Sequence, residues 1–257
     1  MIPFKPKKKF GQNFLINKSL SAKIASFVDV KNCDSLIEVG PGLGSLTKEI
    51  INIDIAEKKF IEIDRDCVDY LQKSITEING NIINEDFLKI DLKSFKSPIV
   101  IVGNFPYNIS NQILFKIYEN RDIVQSMVGM FQFEVAERIC SPKGSKKYGV
   151  LSVLIQAYFN VEMKIKIRPN NFYPVPKIDS AVIKIVKNRD HLNCNEKLFK
   201  EVVKATFNLR RKKIRNSLKT LNYSQIKFDN PIFDKRPEEL GVLEFINLTN
   251  LLNNENI

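Results

Sequence analysis

The sequence predicts an α/β protein, with a Rossmann-like sheet in the first two-thirds of the chain and a small all-α domain after it. The predicted strands are short Ile- and Val-rich runs at Ser35–Val39, Lys59–Ile63, Asn81–Asn84 and Ile99–Val102. Helical patterns fill the intervals, at Ser45–Asn52 and Arg65–Ile78. Such strand–helix alternation produces a parallel sheet with helices on both faces.

The sheet is expected to end in a different arrangement, and a change of pattern marks the second domain. Val124–Phe131 has the pattern of a fifth strand and Val135–Cys140 that of a helix, whereas Val161–Ile167 and Ala181–Val186 predict an antiparallel hairpin at the sheet edge. Later segments show helical patterns without a strand, at Glu196–Leu221 and Leu240–Leu252. We therefore expect residues 1–189 to form the catalytic domain and residues 190–257 a small helical domain.

Composition excludes several classes of protein. Hydrophobic residues make up 44% and charged residues 27% of the 257 residues, as in an ordinary globular protein. The chain has no apolar run long enough to span a bilayer, and its basic N-terminus lacks the apolar core of a signal peptide, so we expect a cytoplasmic protein. Four separated cysteines and one histidine, His191, make a Cys/His metal site improbable, and we expect no bound metal.

The net charge of +11 is concentrated in two segments. Residues 1–10 and 204–219 are rich in Lys and Arg and contain no acid, which favours a polyanionic partner. Within Phe207–Leu218, Arg211 and Arg215 stand at helical i, i+4 spacing. The candidate phosphate contacts are Arg210, Arg211, Lys212, Lys213 and Arg215. The competing interpretation is a solvated basic helix without a ligand.

A glycine-rich turn follows the first predicted strand. Gly40, Gly42 and Gly44 let the backbone approach a ligand closely, and Glu62 ends the next strand where it can accept hydrogen bonds from ribose hydroxyls. Asp86, at the end of the third strand, can bind an adenine amino group. Each feature alone is also common in turns that only pack, but together they predict a nucleoside site.

The segment Asn104-Phe105-Pro106-Tyr107 follows the fourth predicted strand. An adenine amino nitrogen is a poor nucleophile because its lone pair is delocalised into the ring. The Asn104 side-chain oxygen and the Pro106 carbonyl can accept its two hydrogens and turn the lone pair out of the ring plane, while Tyr107 stacks on the extruded base. Phe172, in a proline-restrained loop, is a candidate second stacking aromatic, and a core-filling role is equally compatible with the sequence.

Together these segments, with Phe10–Leu15 and Phe172–Val182, resemble the ribosomal RNA adenine dimethyltransferases over nearly the whole chain. The resemblance implies an S-adenosylmethionine methyltransferase sheet and an RNA-binding helical domain. It implies S-adenosyl-L-methionine as cofactor, held by Asn13, Leu15, Gly40, Glu62, Asp86 and Asn104. Two positions depart from the family: Phe133 stands where Lys is expected, and Phe105 replaces a more usual Leu.

Two branches of the family compete. The stretches Ala205–Leu218 and Phe172–Val182 are similar to the branch that dimethylates two adjacent adenosines in a hairpin loop near the 3′ end of small-subunit (16S) ribosomal RNA. We therefore expect a monomer that acts on this RNA or on the pre-ribosomal small subunit. The alternatives are an antibiotic-resistance methyltransferase of large-subunit RNA, a largely non-catalytic assembly factor, a dinucleotide oxidoreductase and a DNA adenine methyltransferase.

Overall fold

A computed structural model describes residues 5–219 and 229–254, and it confirms the predicted α/β fold. The strands are β1 (Phe14–Leu15), β2 (Ser35–Val39), β3 (Glu57–Ile61), β4 (Ile82–Ile83), β5 (Ile99–Asn104), β6 (Val124–Gln132), β7 (Phe159–Ile167), β8 (Phe172–Tyr173) and β9 (Ser180–Lys187). The helices are α1 (Lys18–Ala25), α2 (Thr47–Ile50), α3 (Arg65–Ser74), α4 (Ser110–Glu119), α5 (Phe133–Cys140), α6 (Val150–Gln156), α7 (Glu196–Asn208), α8 (Ile214–Leu218) and α9 (Val242–Asn254). The predicted strands are present, with ends displaced by at most two residues.

The central sheet has the strand order β4-β3-β2-β5-β6-β9-β7, and β1 pairs separately with β8. The pairs from β4 to β6 are parallel, whereas β9 is antiparallel to β6. The two strands of the predicted edge hairpin, β7 and β9, do lie side by side at the edge. Chain order reverses between β2 and β5, so the carboxyl ends of these strands flank the crevice where such sheets bind ligands.

The core lies on both faces of the central strands. All five residues of β2 and the first five of β5 are buried. Leu36, Val100 and Val128, from three neighbouring strands, belong to one apolar cluster. Strands that are apolar throughout are typical of a parallel sheet covered by helices on both faces. The core therefore fixes the strand ends that carry the predicted polar residues.

Three helices, α1, α4 and α6, lie where the sequence analysis assigned none. The buried residues of α4 do follow helical spacing, at Ile113, Leu114, Ile117 and Tyr118. The residues of α6 from Leu151 to Ile155 are all buried, so this helix shows no polar face from which its period could be recognised.

The predicted continuous helix Glu196–Leu221 is wrong. The chain leaves the helix after Asn208, turns, and re-enters a helix only at Ile214; residues 220 and 221 lie outside the described part. In an unbroken helix, Arg211 and Arg215 would be like-charged neighbours, which destabilises a helix. The break is held by the Ile214 N–H, which donates to the Lys235 carbonyl at 2.9 Å.

The chain forms two compact units. One contains the residues up to Ala136 together with Val161–Lys187, and the other contains Glu137–Asn160 together with the residues from Asn188 onward. The second unit is discontinuous because α6 packs on α7. The sequence analysis placed a single boundary at residue 189 and did not anticipate the inserted segment. Within residues 5–219 and 229–254, no helix has both the length and the apolar character needed to cross a membrane.

Candidate active site

A cavity of about 270 Å³ opens at the carboxyl ends of β2, β3 and β5. Its walls come from the N-terminal segment 9–14, the glycine-rich turn and the loops after β3, β4 and β5. The predicted site residues that line it are Asn13, Gly40, Glu62, Asp86, Asn104, Pro106 and Tyr107. The structure therefore brings together side chains from positions 13 to 107 that the sequence analysis could only place at separate strand ends.

The glycine-rich turn brings main chain to the cavity wall. Gly40 has φ +69° and Gly42 has φ +58°, a region that side chains disfavour. A Cβ on Gly42 would lie 2.9 Å from the Phe14 ring, so the N-terminal segment also requires glycine here. The Gly42 N–H points at the Glu62 carboxylate and donates to it at 2.9 Å.

Glu62 is buried at the base of the cavity. Its two oxygens accept the N–H groups of Gly42 and Asp64, both at 2.9 Å, and burial raises its pKa above the usual value. A carboxylate oxygen has a second lone pair, so each oxygen can still accept a hydroxyl from the cavity side. Behind it, Glu38 accepts the Thr47 hydroxyl at 2.7 Å, and burial raises the pKa of Glu38 to about 8.

Asn104 is held by its amide nitrogen. Its Nδ2 donates to the Asn13 carbonyl at 2.7 Å, which leaves Oδ1 as the acceptor. The Pro106 carbonyl already accepts the Ile109 N–H at 3.2 Å and the Ser110 hydroxyl at 3.3 Å. Contrary to the expectation from sequence, the Pro106 carbonyl is therefore engaged inside the chain. It would have to exchange a long bond to accept a substrate hydrogen, so Asn104 is the better acceptor.

Tyr107 lines the cavity with its hydroxyl tethered. Its oxygen lies 2.5 Å from the Ser180 hydroxyl at the start of β9, and burial raises the phenol pKa. Phe105, beside it, is buried and packs on Phe131 with ring centroids 5.0 Å apart. The Phe105 position thus belongs to the core, and the tether to Ser180 fixes where the Tyr107 ring stands.

Phe172 and Leu15 do not line this cavity. Leu15 pairs with Phe172 between β1 and β8, and both side chains are buried in the apolar core. Phe172 is 1% exposed, so in this arrangement it fills the core and cannot stack on a base. The neighbouring Tyr173 is 47% exposed. Leu15 lies beside a smaller cavity behind the glycine-rich turn.

The N-terminal wall is held by Asp64, a residue that the sequence analysis did not identify. The Asp64 carboxylate, 1% exposed, accepts Lys7 Nζ at 2.5 Å and Gln12 Nε2 at 2.7 Å. Burial opposes ionisation, but these bonds hold the pKa of Asp64 below its usual value. Gln12 Oε1 also accepts the Lys7 N–H. We call residues 7–14 the strap. The sequence feature that could have identified its anchor is Asp64, an acid two residues beyond Glu62.

Asp86 lies at the rim of the cavity, on a loop that is held by hydrogen bonds from Lys116. One of its oxygens accepts the Leu88 N–H at 2.9 Å. Lys116 donates to the Leu88 and Ile90 carbonyls and lies 5.4 Å from the centre of the buried Phe87 ring. The loop therefore presents Asp86 from a supported backbone.

In the other unit, the basic segment divides into two groups. Arg215 and Lys213 both bind Asp234, at 2.6 and 2.9 Å. Arg210 donates to the Ser145 carbonyl and lies near Glu238. Arg211 and Lys212 lie on the turn between α7 and α8 and are exposed. The predicted i, i+4 helical pairing of Arg211 with Arg215 is wrong, because only Arg215 lies in a helix.

Comparison with known proteins gives consistent matches. The family model described as ribosomal RNA adenine dimethylase matches residues 3–240. The chain is 48% identical over 248 residues to the Ribosomal RNA small subunit methyltransferase A of Flavobacterium johnsoniae, covering 95% of each protein. A dimethyladenosine transferase structure from Plasmodium falciparum has a TM-score of 0.80 at 24% identity, over 95% of this chain and 98% of that one. The structure of 23S rRNA methyltransferase ErmE has a TM-score of 0.67 at 24% identity, over 93% and 100%. At these identities, the two structures establish the shared fold.

Proposed function

The chain belongs to the ribosomal RNA adenine dimethylase family, and on this premise we propose that it methylates small-subunit (16S) ribosomal RNA during ribosome biogenesis. The proposed substrates are the N6 amino groups of two adjacent adenosines in a hairpin loop near the 3′ end. The name of the Flavobacterium relative supports the small subunit as the substrate, at 48% identity over nearly the full length of both chains. We further propose that the protein acts as a cytoplasmic monomer.

The observation that carries the proposal is the fixed amide of Asn104. Because Nδ2 is bound to the Asn13 carbonyl, Oδ1 faces an incoming amine as an acceptor prepared in advance. Accepting one hydrogen of the adenine amine directs the nitrogen lone pair out of the ring plane. The tethered Tyr107 ring offers a stacking surface for the extruded base. These residues supply position and polarity, which suits a reaction that needs no enzyme nucleophile.

The cofactor residues fit a nucleoside. S-adenosyl-L-methionine, when bound, supplies an electrophilic methyl group on sulfur. Glu62 offers the remaining lone pairs of a buried carboxylate to ribose hydroxyls, and Gly40 leaves room for the ligand against the main chain. Asp86 stands at the rim, where it can accept an adenine amino group. Asn13 acts through the carbonyl that orients Asn104, and Leu15 supports the turn from the core.

For the RNA backbone, we propose Arg211 and Lys212 as phosphate contacts. Both are exposed on a turn, and within the described part of the chain neither forms an ion pair that a phosphate would have to displace. Lys213 and Arg215 bind Asp234, and Arg210 donates to the Ser145 carbonyl of the same unit. The first role of these three residues is therefore to stabilise the turn.

Asn104→Ala tests the catalytic proposal. At saturating cofactor, turnover on unmodified small subunits should fall by a factor on the order of 10² or more, because an acceptor prepared for the reacting amine is lost. Asn79→Ala is the matched control, since Asn79 also donates its amide to a main-chain carbonyl, that of Gln72, but far from the cavity. Turnover of the Asn104 variant within a few-fold of wild type would reject the role.

The same assay separates the substrates. Labelled S-adenosylmethionine is supplied with unmodified small subunits, large subunits or DNA, and the modified nucleotides are mapped. Label on two adjacent adenosines of the small-subunit RNA is the expected result. Label confined to large-subunit RNA would support the resistance-type alternative, and absence of label on every substrate would favour a non-catalytic assembly factor.

A further inference from the structure

Outside the cavity, one lysine is positioned on two sides by other side chains. Lys166, on β7, places its Nζ 4.2 Å from the centre of the Phe133 ring and 2.8 Å from Asp179 Oδ2. The Lys166 side chain is nevertheless 53% exposed. A lysine side chain ordinarily loses considerable rotamer entropy when it binds a ligand. Here the ring and the carboxylate already restrict it, while part of the ammonium still faces solvent.

This cluster adjoins the catalytic edge of the sheet. Asn104 is paired in register with Met130 of β6, and β6 continues two residues further before α5 begins at Phe133. The Phe133 N–H donates to the Asp179 carbonyl at 2.9 Å. The residue after Asp179 is Ser180, whose hydroxyl tethers Tyr107. Lys166 is thus connected to the base-stacking tyrosine through two adjacent residues of one strand end.

The loop between β8 and β9 adds exposed apolar surface next to the cluster. Tyr173, the last residue of β8, is 47% exposed, and Val175 and Ile178, in the loop that ends at Asp179, are 63% and 44% exposed. Aromatic and apolar side chains beside a fixed cation suit unstacked nucleotides, which offer base faces and a phosphate together. A protein surface would be less well matched to a single half-exposed ammonium.

Resting on the proposed function, we propose that Lys166 binds a phosphate of the single-stranded nucleotides that flank the target adenosine. Phe133 and Asp179 are positioning residues that hold its ammonium. Lys166 brings a positive charge from β7 to the strand end where α5 begins at Phe133. The contact would orient the RNA loop beside Tyr107 without touching the cofactor.

The chain contains a close control on the same strand. Lys164, two residues away, also lies over a phenylalanine ring, Phe27, at 5.5 Å, and also binds an acid, Glu162, at 2.7 Å. It has no link to Tyr107 among the described contacts. Lys164→Gln and Lys166→Gln therefore remove the same charge, the same kind of ring contact and the same kind of ion pair.

The test measures methylation rate against the concentration of unmodified small subunits at saturating cofactor. Lys166→Gln should raise KM about 3–10-fold and flatten the log–log salt dependence of binding by about 0.7, the value for one phosphate contact on a single strand. Turnover and S-adenosylmethionine affinity should stay within twofold of wild type. Phe133→Ala should raise KM in the same direction, and Lys166→Arg should restore it. Equal behaviour of the Lys164 and Lys166 variants, or an unchanged salt slope, would overturn the proposal.

A second measurement separates this proposal from the proposed function. Binding of a short single-stranded RNA is followed by fluorescence anisotropy, which requires no methyl transfer. Weaker binding by Lys166→Gln but not by Lys164→Gln supports the contact even if small subunits are not methylated. Unchanged RNA binding by both variants, with wild-type methylation of small subunits intact, refutes the contact and leaves the proposed function standing. Melting temperatures check that each variant is folded.

Discussion

Gln12→Ala tests whether the strap controls cofactor affinity. Gln12 makes two hydrogen bonds that hold the strap: its Nε2 donates to the buried Asp64 carboxylate at 2.7 Å, and its Oε1 accepts the Lys7 N–H within the strap at 2.7 Å. The next residue, Asn13, carries the carbonyl that holds Asn104. Because the strap forms one wall of the cavity, releasing it should open the site on that side.

The expected size follows from the bond that is lost. A hydrogen bond to a charged group contributes about 1.5–3 kcal/mol, and the Gln12–Asp64 bond is of this kind. If the cofactor binds only when the strap is docked, its apparent dissociation constant rises as the docked fraction falls. Since 1.4 kcal/mol is tenfold in affinity, the loss can weaken S-adenosylmethionine binding by as much as about 10–100-fold. The remaining Lys7–Asp64 contact sets how much of that range is reached.

Calorimetry with S-adenosylmethionine measures the effect, and hydrogen exchange of residues 7–14 reports the strap itself. Gln156→Ala is the control, because Gln156 Nε2 also makes two bonds, to the Ile139 and Ser141 carbonyls in the other unit. Its variant should lose stability without losing cofactor affinity. Faster exchange of the strap in Gln12→Ala together with an unchanged dissociation constant would refute the coupling.

Two further predictions concern charge. Burial raises the pKa of Glu38 to about 8, so the folded protein keeps a proton that the unfolded chain releases near pH 4.5, and its stability should fall as pH rises from about 5 to 8. Glu38→Gln should flatten that fall in melting temperature, and an unaltered pH profile would contradict it. Replacing Arg211 and Lys212 by Gln should reduce the salt slope of RNA binding by about 0.7–0.9 per lost contact at constant melting temperature. Arg215→Gln should instead lower the melting temperature, because its pair with Asp234 is lost, and leave the slope unchanged; the reverse pattern would reject this division.

The parts of the site that were predicted from sequence depend on local signals. Ser35–Val39 is recognisable as a short run with Leu, Ile and Val, and the glycines that follow it mark a turn with positive φ. Glu62 follows β3 directly, and Asn104 is the last residue of β5. Parallel strands bring their carboxyl ends to one edge, so the fold class alone predicts that these residues converge.

The residues whose positions the sequence analysis did not anticipate are held by contacts between distant segments. Phe172 is buried because β8 pairs with Leu15 of β1, and neither two-residue strand has a recognisable pattern of its own. The Gln12–Asp64 bond joins residues 52 positions apart, and either side chain alone is an ordinary polar residue. Local sequence patterns identified candidate residues, but not which distant residues they would contact in the fold.

The basic segment shows the same limit of sequence-based prediction for charged residues. Its density of Lys and Arg predicted phosphate contacts, whereas Asp234 and Glu238, in a later segment of the chain, balance part of that charge. Arg210 and Lys213 lie on the same turn as Arg211 and Lys212 but are paired with these acids. A count of basic residues therefore overstates the charge available to RNA, because nearby carboxylates balance part of it.

The proposed catalysis depends on geometry, and the hydrogen bonds of the first unit connect the groups that it uses. The Glu62 carboxylate accepts the Asp64 N–H, Asp64 holds Gln12, and the next residue, Asn13, holds Asn104. The group suited to ribose and the group suited to the amine are thus joined through the strap. If Asn104 accepts the amine hydrogen as we propose, small displacements of its amide should reduce the rate without any loss of chemical groups. Gln12 should therefore influence turnover as well as affinity, through its hold on the strap.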